Sequence, residues 1–211
     1  MKSVLISIHP KWVEKIANGE KTIEVRKTAP QEVPFKCYIY CTKPKKWFRF
    51  SSWGYASDEC LWLSNGKVKM CNGFEFWADG KEYEPLCCKV IGEFVCDNVY
   101  PIKNQGGRFV VANEEQSVTN EIARQSCLDY DDMVSYFGNK DGFGWHISDL
   151  KIYDKPKELS DFYRECEKPC KPNKGKILCI TTKSLKMNGC NGKIPLTRAP
   201  QSWQYVEEKE E

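Results

Sequence analysis

The sequence predicts a single domain of the α+β class. Its 211 residues fit one domain of ordinary size, and 41% hydrophobic residues beside 29% charged residues supply enough apolar surface for a core. Short runs of β-branched and aromatic residues recur along the chain, and three segments have the apolar spacing of short helices. This composition excludes an intrinsically disordered or collagen-like chain.

A strand and a helix are predicted at the start of the chain. Residues 4–8 form a short β-branched run that ends before Pro10, as a buried strand does. Proline suits the first turn of a helix and Gly19 suits its end, so the apolar stripe between them predicts a helix over residues 10–19.

The next strand is predicted over residues 21–27. Period-2 alternation places Ile23 and Val25 on one face and Glu24 and Arg26 on the other. Residues two apart on a strand have Cα atoms about 6.6 Å apart. The carboxylate and the guanidinium are therefore predicted to lie side by side.

The rest of the chain predicts further short elements, with a bulge at Gly92 because glycine inside a strand often marks one. Strands are predicted at 35–42, 86–95, 108–112, 144–153 and 176–182, helices at 119–127 and from Asp129 to the stop at Gly138, and a helical turn at 159–163.

The predicted organisation is one domain over residues 1–205 with an insertion. Turns, aromatic residues and scattered charges interrupt the strand pattern at about 43–86, so this segment is predicted to be an inserted lobe. Residues 206–211 are predicted to be an acidic flexible tail.

Charge is distributed unevenly along the chain. Its net value is +3, but residues 1–50 carry +7, residues 51–150 carry −8, residues 151–200 carry +7 and residues 201–211 carry −3. If the two basic segments fold onto one face, they form the footprint of a polyanion binder.

The first basic segment, residues 1–50, ends in an alternation of cations and rings over residues 43–50. Lys45, Lys46 and Arg49 attract phosphates, and Trp47 can stack on a base, which is the pattern of a single-stranded nucleic-acid platform. Alternatively, the rings anchor the loop to the core while the lysines face water.

Twelve cysteines raise the question of disulfides or metal. Cys37 and Cys41 lie on one strand about 13 Å apart, too far to chelate one ion, and Cys87 and Cys88 are predicted to face opposite ways. These residues are predicted to be thiols.

No cofactor is expected, but the cysteines between residues 166 and 190 make a zinc site an alternative. Cys166 and Cys170 have a spacing in a turn that can chelate, and Cys179 and Cys190 could complete a four-cysteine site. No second short-spaced pair supports such a site, and Cys179 lies within a predicted strand.

No run approaches the ~18 apolar residues that cross a bilayer, and the apolar stretch at the start is too short for a signal peptide. A cytoplasmic protein with no membrane partner is therefore expected.

The segment Gly19-Glu20-Lys21-Thr22-Ile23-Glu24-Val25-Arg26 resembles the ASCH domain family, whose signature is G-x-K-x-x-E-x-R. The resemblance extends to residues 144–150 and 195–203, which look like ASCH proteins of Gram-positive gut bacteria and their phages, and so spans nearly the whole chain. It implies a PUA-like fold, a small mixed β-barrel with short helices at its ends.

The resemblance also implies a cleft in which Lys21, Glu24 and Arg26 meet to bind RNA or a nucleobase derivative. The cations would take a phosphate or polarise a carbonyl, while the carboxylate orients the lysine or accepts from an exocyclic amine. The alternative is a salt-bridged cluster that only stabilises the fold.

Two hydrolytic activities are implied by relatives of this family. Some small ASCH proteins hydrolyse N4-acetylcytidine with a lysine, a threonine and a glutamate, and aligning the motifs puts Glu24 where the threonine belongs. The second hydrolytic activity implied by the family is metal-independent cleavage of RNA. Lys21 would then stabilise the pentavalent phosphate, with Glu24, His146 or Ser148 handling protons, and His9 is needed if two imidazoles act.

The closing loop supplies the remaining ligand-binding candidates. It combines Arg198, Gln201, Ser202 and Trp203 in a proline-stiffened segment, and such loops tend to line sites. Trp203 either stacks on a base or caps the barrel. A third class of function, binding of a protein partner through the insertion, also remains.

Overall fold

The computed structural model describes the backbone of most of the chain and the side chains of a smaller part. Backbone is described for residues 2–43, 48–50, 54–56, 60–64, 67–71, 84–166, 177–178, 185–186 and 192–209. Side chains are described for residues 2–43, 61–63, 67–70, 86–166 and 192–209.

The described residues form mostly strands, with three short α-helices and one 3-10 turn, which confirms the α+β class. The helices are α1 (Pro10–Ala17), α2 (Gln116–Ser126) and α3 (Tyr130–Phe137), and the 3-10 turn is Leu159–Asp161. The strands are β1 (Ser3–Ile8), β2 (Ile23–Arg26), β3 (Phe35–Cys41), β4 (Phe48–Phe50), β5 (Gly54–Ala56), β6 (Cys60–Ser64), β7 (Lys67–Cys71), β8 (Glu84–Pro85), β9 (Val90–Cys96), β10 (Val99–Gln105), β11 (Arg108–Val111), β12 (Gly142–His146), β13 (Ser148–Lys157), β14 (Phe162–Glu165), β15 (Ile177–Leu178), β16 (Leu185–Lys186), β17 (Lys193–Pro195), β18 (Trp203–Tyr205) and β19 (Glu207–Glu208).

Two larger sheets carry the fold. The order in one is β13-β9-β3-β1-β18, and the order in the other is β11-β10-β12-β2. Strand β1 pairs with β3 in parallel, which requires a crossover connection, and α1 and β2 lie within it. The chain passes from one sheet to the other where β12 gives way to β13.

The sheets are not closed into the barrel that the family resemblance implies. Within the described ranges, the strands form separate sheets whose outer strands are β13 and β18 in one and β11 and β2 in the other. A closed barrel requires a continuous ladder of hydrogen bonds around all the strands. Strands β12 and β13 are instead linked only by the backbone at residue 147, and they belong to different sheets.

The core explains why β1 is a continuous apolar run. Val4, Ile6 and Ile8 face the main cluster together with Phe35 and Trp145, whose rings meet edge to face with centroids 5.1 Å apart. The intervening Leu5 packs into a second cluster on the other side of the same sheet. A strand that is buried on both faces lacks polar alternation.

Local signals for the helices are confirmed. Helix α1 begins with Pro10, and Gly19 follows its end with a φ of +75°. The carboxylate of Asp129 caps α3 by accepting a 2.7 Å hydrogen bond from the backbone N–H of Asp132, and Gly138 ends that helix.

Strand β10 (Val99–Gln105) is absent from the sequence prediction, and the single strand predicted over 144–153 is two strands. Proline inside a run argues against an inner strand, yet Pro101 lies in β10 between β11 and β12. Asp149, two residues after the point where the chain passes from one sheet to the other, has a φ of +48°, which is not an extended conformation.

Gly92 lies at the predicted bulge. Pairing with β3 and with β13 shifts register beside it, and a Cβ on residue 92 would stand 2.5 Å from the carbonyl oxygen of Lys151. We expect Gly92→Ala to lower the free energy of unfolding by about 1–3 kcal/mol because a backbone atom must move to relieve the clash. Urea denaturation monitored by tryptophan fluorescence measures this, and an unchanged midpoint contradicts it.

Part of the insertion predicted at 43–86 packs against α1. Leu61 and Val68 are buried in the main cluster, and the backbone N–H of Met70 donates a 2.8 Å hydrogen bond to the carboxylate of Glu14. The described part of the insertion therefore shares the core of the domain.

Residues 206–208 do not form the predicted flexible tail. Val206 is buried, and Glu207–Glu208 pair with β14. The carboxylate of Glu208 accepts a 2.9 Å hydrogen bond from the Tyr38 hydroxyl and also pairs with Lys157. The acidic composition of this segment predicts fraying, because the residues that hold it in place lie far away in sequence and give no local signal.

Among the described residues, no helix has the length and apolar character needed to cross a membrane.

Candidate functional site

Three charged side chains form a buried cluster where β2 meets β1 and α2. The Glu24 carboxylate lies 2.9 Å from the Arg26 guanidinium and 3.5 Å from the Lys21 ammonium. Arg26 also donates a 2.7 Å hydrogen bond to the carbonyl of Ser7, and Lys21 donates a 2.5 Å hydrogen bond to the carbonyl of Ser126. The cluster therefore connects three elements.

Alternation in β2 produces this arrangement. Ile23 and Val25 pack into the cluster beneath α2 and α3, so Glu24 and Arg26 project from the opposite face. Glu24 lies across from Trp145 in the antiparallel pairing with β12, and directly opposed residues share a face. The two charged side chains thus project toward the main core and its neighbouring cleft.

The cluster is buried and contains two cations for one carboxylate. Lys21 is 2% exposed, Glu24 5% and Arg26 7%. Burial lowers the pKa of Lys21 from its usual value, an effect that the carboxylate of Glu24 opposes. Two cations share one carboxylate, and Arg26 Nε has no hydrogen-bond partner among the described residues.

The cluster lines a cleft with a volume of about 770 Å³, which is within the range of about 300–1,000 Å³ typical of ligand pockets. Its wall combines cationic, aromatic and hydroxyl groups from distant parts of the chain. The residues that line it are Ser7, Ile8, His9, Trp12, Lys21, Glu24, Val25, Arg26, Tyr40, Thr42, Lys43, Leu128, Asp132, Ser135, Tyr136, Ala199, Pro200 and Gln201.

The closing loop contributes part of its predicted residues to this cleft. Gln201 lines it, and the loop is attached to β1 because the Ser7 hydroxyl donates a 2.6 Å hydrogen bond to the Pro200 carbonyl. Arg198 is exposed and is not among the lining residues, nor is Ser202, whose carbonyl accepts a 2.9 Å hydrogen bond from the Ser7 N–H.

Trp203 lies beside the core and away from the cleft lining. Its ring meets that of Trp145 at a tilted edge contact with centroids 5.8 Å apart, and its indole N–H donates to Thr28. These contacts hold the indole between Trp145 and Thr28.

His146 projects away from the Lys21 cluster, and Ser148 lies outside the cleft lining. His146 pairs with Ile23 across β12 and β2 and therefore shares the face opposite to Glu24. Its Nδ1 lies 2.6 Å from the carboxylate of Asp97, while Ser148 donates to the carbonyl of Val95. Neither residue lines the cleft.

Several predicted residues lie outside the described side chains. They are the basic-aromatic residues Lys45, Lys46, Trp47 and Arg49 and the cysteines Cys170, Cys179 and Cys190. Cys166 is buried. Within the described part of the chain, no group of three or more histidines, cysteines or carboxylates is arranged to hold a metal ion.

Sequence reasoning misses most of the aromatic and hydroxyl wall of the cleft. Trp12 belongs to the apolar stripe of the helix predicted over residues 10–19. The ammonium groups of Lys11 and Lys21 lie 4.4 Å and 5.3 Å from the centroid of its ring, and the residue lines the cleft. Tyr136 comes from α3, where burial raises its pKa against the opposing effect of Arg26. His9 also lines the cleft. Its sequence position between β1 and α1 does not determine whether its side chain reaches that cleft.

Comparison with known proteins returns solved structures only. No protein-family model matches the chain, and no curated protein matches it significantly. The crystal structure of ASCH from Zymomonas mobilis is similar, with a TM-score of 0.43, 17% identity, and coverage of 75% of this chain and 74% of that one. Two point-mutant forms of that protein give TM-scores of 0.45 and 0.43 at 16% and 17% identity, each over 75% of this chain and over 77% and 75% of theirs.

A fold alone does not specify a ligand, because unrelated functions occur on the same fold.

Proposed function

We propose that the chain binds RNA or a small modified nucleoside in the cleft that contains Lys21, Glu24 and Arg26, as a PUA-like module acting in the cytoplasm. The observation that carries the proposal is a buried cluster of two cations and one carboxylate beside a cleft of about 770 Å³. An excess positive charge removed from water is costly unless an anion or dipole compensates it. A phosphate or a nucleobase carbonyl supplies that compensation.

The aromatic and polar groups of the cleft also suit such a ligand. Trp12, Tyr40 and Tyr136 offer ring surfaces, and the closing loop adds the Gln201 amide. Rings stack on bases of any sequence, while amides and hydroxyls recognise base edges. The segment around Lys45 and Lys46 would extend the interface along the backbone of a longer RNA.

A metal-independent ribonuclease is the second candidate, and the presence of His9 in the same cleft as Lys21 favours it. In this alternative, the imidazole accepts or donates the proton while Lys21 stabilises the charge on the phosphate. His146 shares the face opposite to Glu24, Ser148 lies outside the cleft lining, and neither would take part. An amidohydrolase remains a weaker alternative because Glu24 occupies the position of the threonine nucleophile.

Binding of labelled single-stranded RNA without added metal tests the proposal. We expect retention by the wild-type chain that weakens as salt rises, and at least a tenfold loss of affinity in Lys21→Met, since a charge-assisted hydrogen bond contributes about 1.5–3 kcal/mol. Lys103→Met is the matched control because Lys103 is half-exposed, pairs with Asp141 and lies outside the cleft lining.

The same experiment separates the alternatives. Replacing Lys45 and Lys46 by glutamine should make the salt dependence shallower, by about 0.7 in log–log slope for each phosphate that the protein no longer neutralises. Cleavage that disappears in Lys21→Met and His9→Gln but persists in His146→Gln identifies a ribonuclease. A silent Lys21→Met together with a loss of partner binding in Trp47→Ala identifies a protein-interaction module and contradicts the proposal.

A further inference from the structure

Two cysteines meet where the chain enters and leaves the insertion. Cys41 ends β3, immediately before the insertion, and Cys87 comes shortly after β8. Their sulfur atoms lie 4.0 Å apart although the two residues are 46 positions apart in sequence. The strand pattern predicts thiols at both positions, but it contains no signal that would make them neighbours.

The backbone holds the two ends of the insertion together around this pair. The N–H of Cys88 donates a 2.8 Å hydrogen bond to the carbonyl of Cys41, and the N–H of Cys41 donates a 3.0 Å bond to the carbonyl of Lys89. A disulfide has an S–S distance of about 2.05 Å, so the sulfurs must approach by about 2 Å. Rotation of the two side chains moves sulfur atoms over such distances while the backbone bonds remain.

The pair differs in exposure, which gives the reaction an order. Cys41 and Cys87 are both buried, at 0% and 9% exposure, so Cys87 is the more accessible of the pair, and the adjacent Cys88 is exposed. Thiol–disulfide exchange begins at an accessible thiolate. Cys87 is therefore the member of the pair that meets a small oxidant first, and Cys41 is the member that resolves it.

The thiols lie next to the wall of the cleft. Burial, with smaller contributions from Cys88, Cys41 and Cys87, raises the pKa of the Tyr40 phenol to about 12, so all three cysteines lie close to it. Tyr40 and Thr42 flank Cys41 in sequence, and both line the cleft. A covalent bond at Cys41 would therefore restrain the strand segment that carries two residues of the cleft wall.

We propose that Cys41 and Cys87 are a site of reversible disulfide formation that links the two ends of the insertion covalently and alters ligand binding in the adjacent cleft. The disulfide stands on the geometry of the pair alone, whereas its effect on the ligand rests on the proposed function. The oxidant is a small-molecule disulfide such as oxidised glutathione.

The exchange proceeds in two balanced steps. The Cys87 thiolate attacks the oxidant, forms a mixed disulfide and releases one glutathione thiolate. The Cys41 thiolate then attacks the Cys87 sulfur, forms the Cys41–Cys87 bond and releases the second. The two protons from the cysteine thiols end on the two glutathiones, so one disulfide is reduced and one is formed.

Peptide mapping of the intact chain equilibrated in glutathione redox buffers tests the disulfide. We expect a Cys41–Cys87 cross-link that appears under oxidising conditions, is reversed by excess reduced glutathione, and is absent from Cys41→Ser and Cys87→Ser. Cys88→Ser is the matched control and should still form it. A map that shows glutathione on Cys88 alone, or a bond between other cysteines, overturns the proposal, and the map of the wild-type chain decides this even if a variant does not fold.

A second measurement tests the effect on the cleft. Single-stranded RNA retention is compared between the reduced and the cross-linked wild-type chain, and we expect at least a threefold change in Kd that Cys88→Ser preserves and reduction reverses. An equal Kd in a verified cross-linked chain overturns the coupling. If reduced protein retains no RNA while the cross-link forms, the proposed function fails and the disulfide stands.

Discussion

Glu24→Gln is expected to lower the free energy of unfolding by about 3–5 kcal/mol, because it removes the single carboxylate that two buried cations share. Glutamine keeps the size and shape of the side chain, so the change isolates the charge. Lys21 and Arg26, 2% and 7% exposed, would lose their shared counter-charge, and the pKa of Lys21, which burial lowers and Glu24 raises, would fall further. Urea denaturation of the purified variant measures the loss.

A surface carboxylate provides the control for this substitution. Glu121 on α2 pairs with Arg124, and both side chains are well exposed. Exposed ion pairs contribute about 0.2–1 kcal/mol, so Glu121→Gln should change stability by no more than that. Equal effects of the two substitutions contradict a buried, charge-dependent cluster.

The local part of the site could be predicted from the sequence. Period-2 alternation in residues 21–27 places Glu24 and Arg26 on one face, and the structure has this arrangement because Ile23 and Val25 pack beneath α2 and α3. Such predictions depend only on neighbours in sequence and on the geometry of a strand. The start of α1 at Pro10 is predictable for the same reason.

The rest of the site depends on pairing between distant segments. His9 reaches the cleft because β1 runs parallel to β3 and the closing loop is attached to Ser7, and neither relation has a local signal. His146 lies on the other face because of the register between β12 and β2. A shift of one residue would reverse that face, and alternation within a single strand does not determine register.

The same limit applies to the end of the chain. Glu208 looks like part of an acidic tail when read beside its neighbours, yet it accepts a hydrogen bond from Tyr38 and pairs with Lys157. Burial raises the pKa of Tyr38 above its usual range, and the adjacent Glu208 carboxylate adds to this effect. These partners are 170 and 51 residues away, so composition alone suggests disorder where the fold supplies order.

Replacing the whole cluster separates its structural role from its function. In the triple variant Lys21→Met, Glu24→Leu and Arg26→Met, no buried charge is left without a partner, and apolar side chains of similar size fill the space. Substituting buried ion pairs in this way is often neutral or stabilising by about 1–4 kcal/mol. The carbonyls of Ser7 and Ser126 lose a donor each, at a cost of about 1–3 kcal/mol per group.

The gain and the cost nearly offset each other, so we expect the triple variant to unfold within about 2 kcal/mol of the wild-type chain. It should therefore be more stable than Glu24→Gln although it carries three substitutions. RNA retention should nevertheless be lost, because the two cations beside the cleft are gone. Denaturation and RNA binding are measured on the same preparation.

Each result of this comparison has one interpretation. A stable triple variant that fails to retain RNA means that the charges are kept for a ligand, since the fold does not require them. A triple variant as unstable as Glu24→Gln means that the ion pairs hold β2 against β1 and α2, and the cluster is then structural. Retention of RNA by a folded triple variant places the binding surface elsewhere, with the segment around Lys45 and Lys46 as the next region to test.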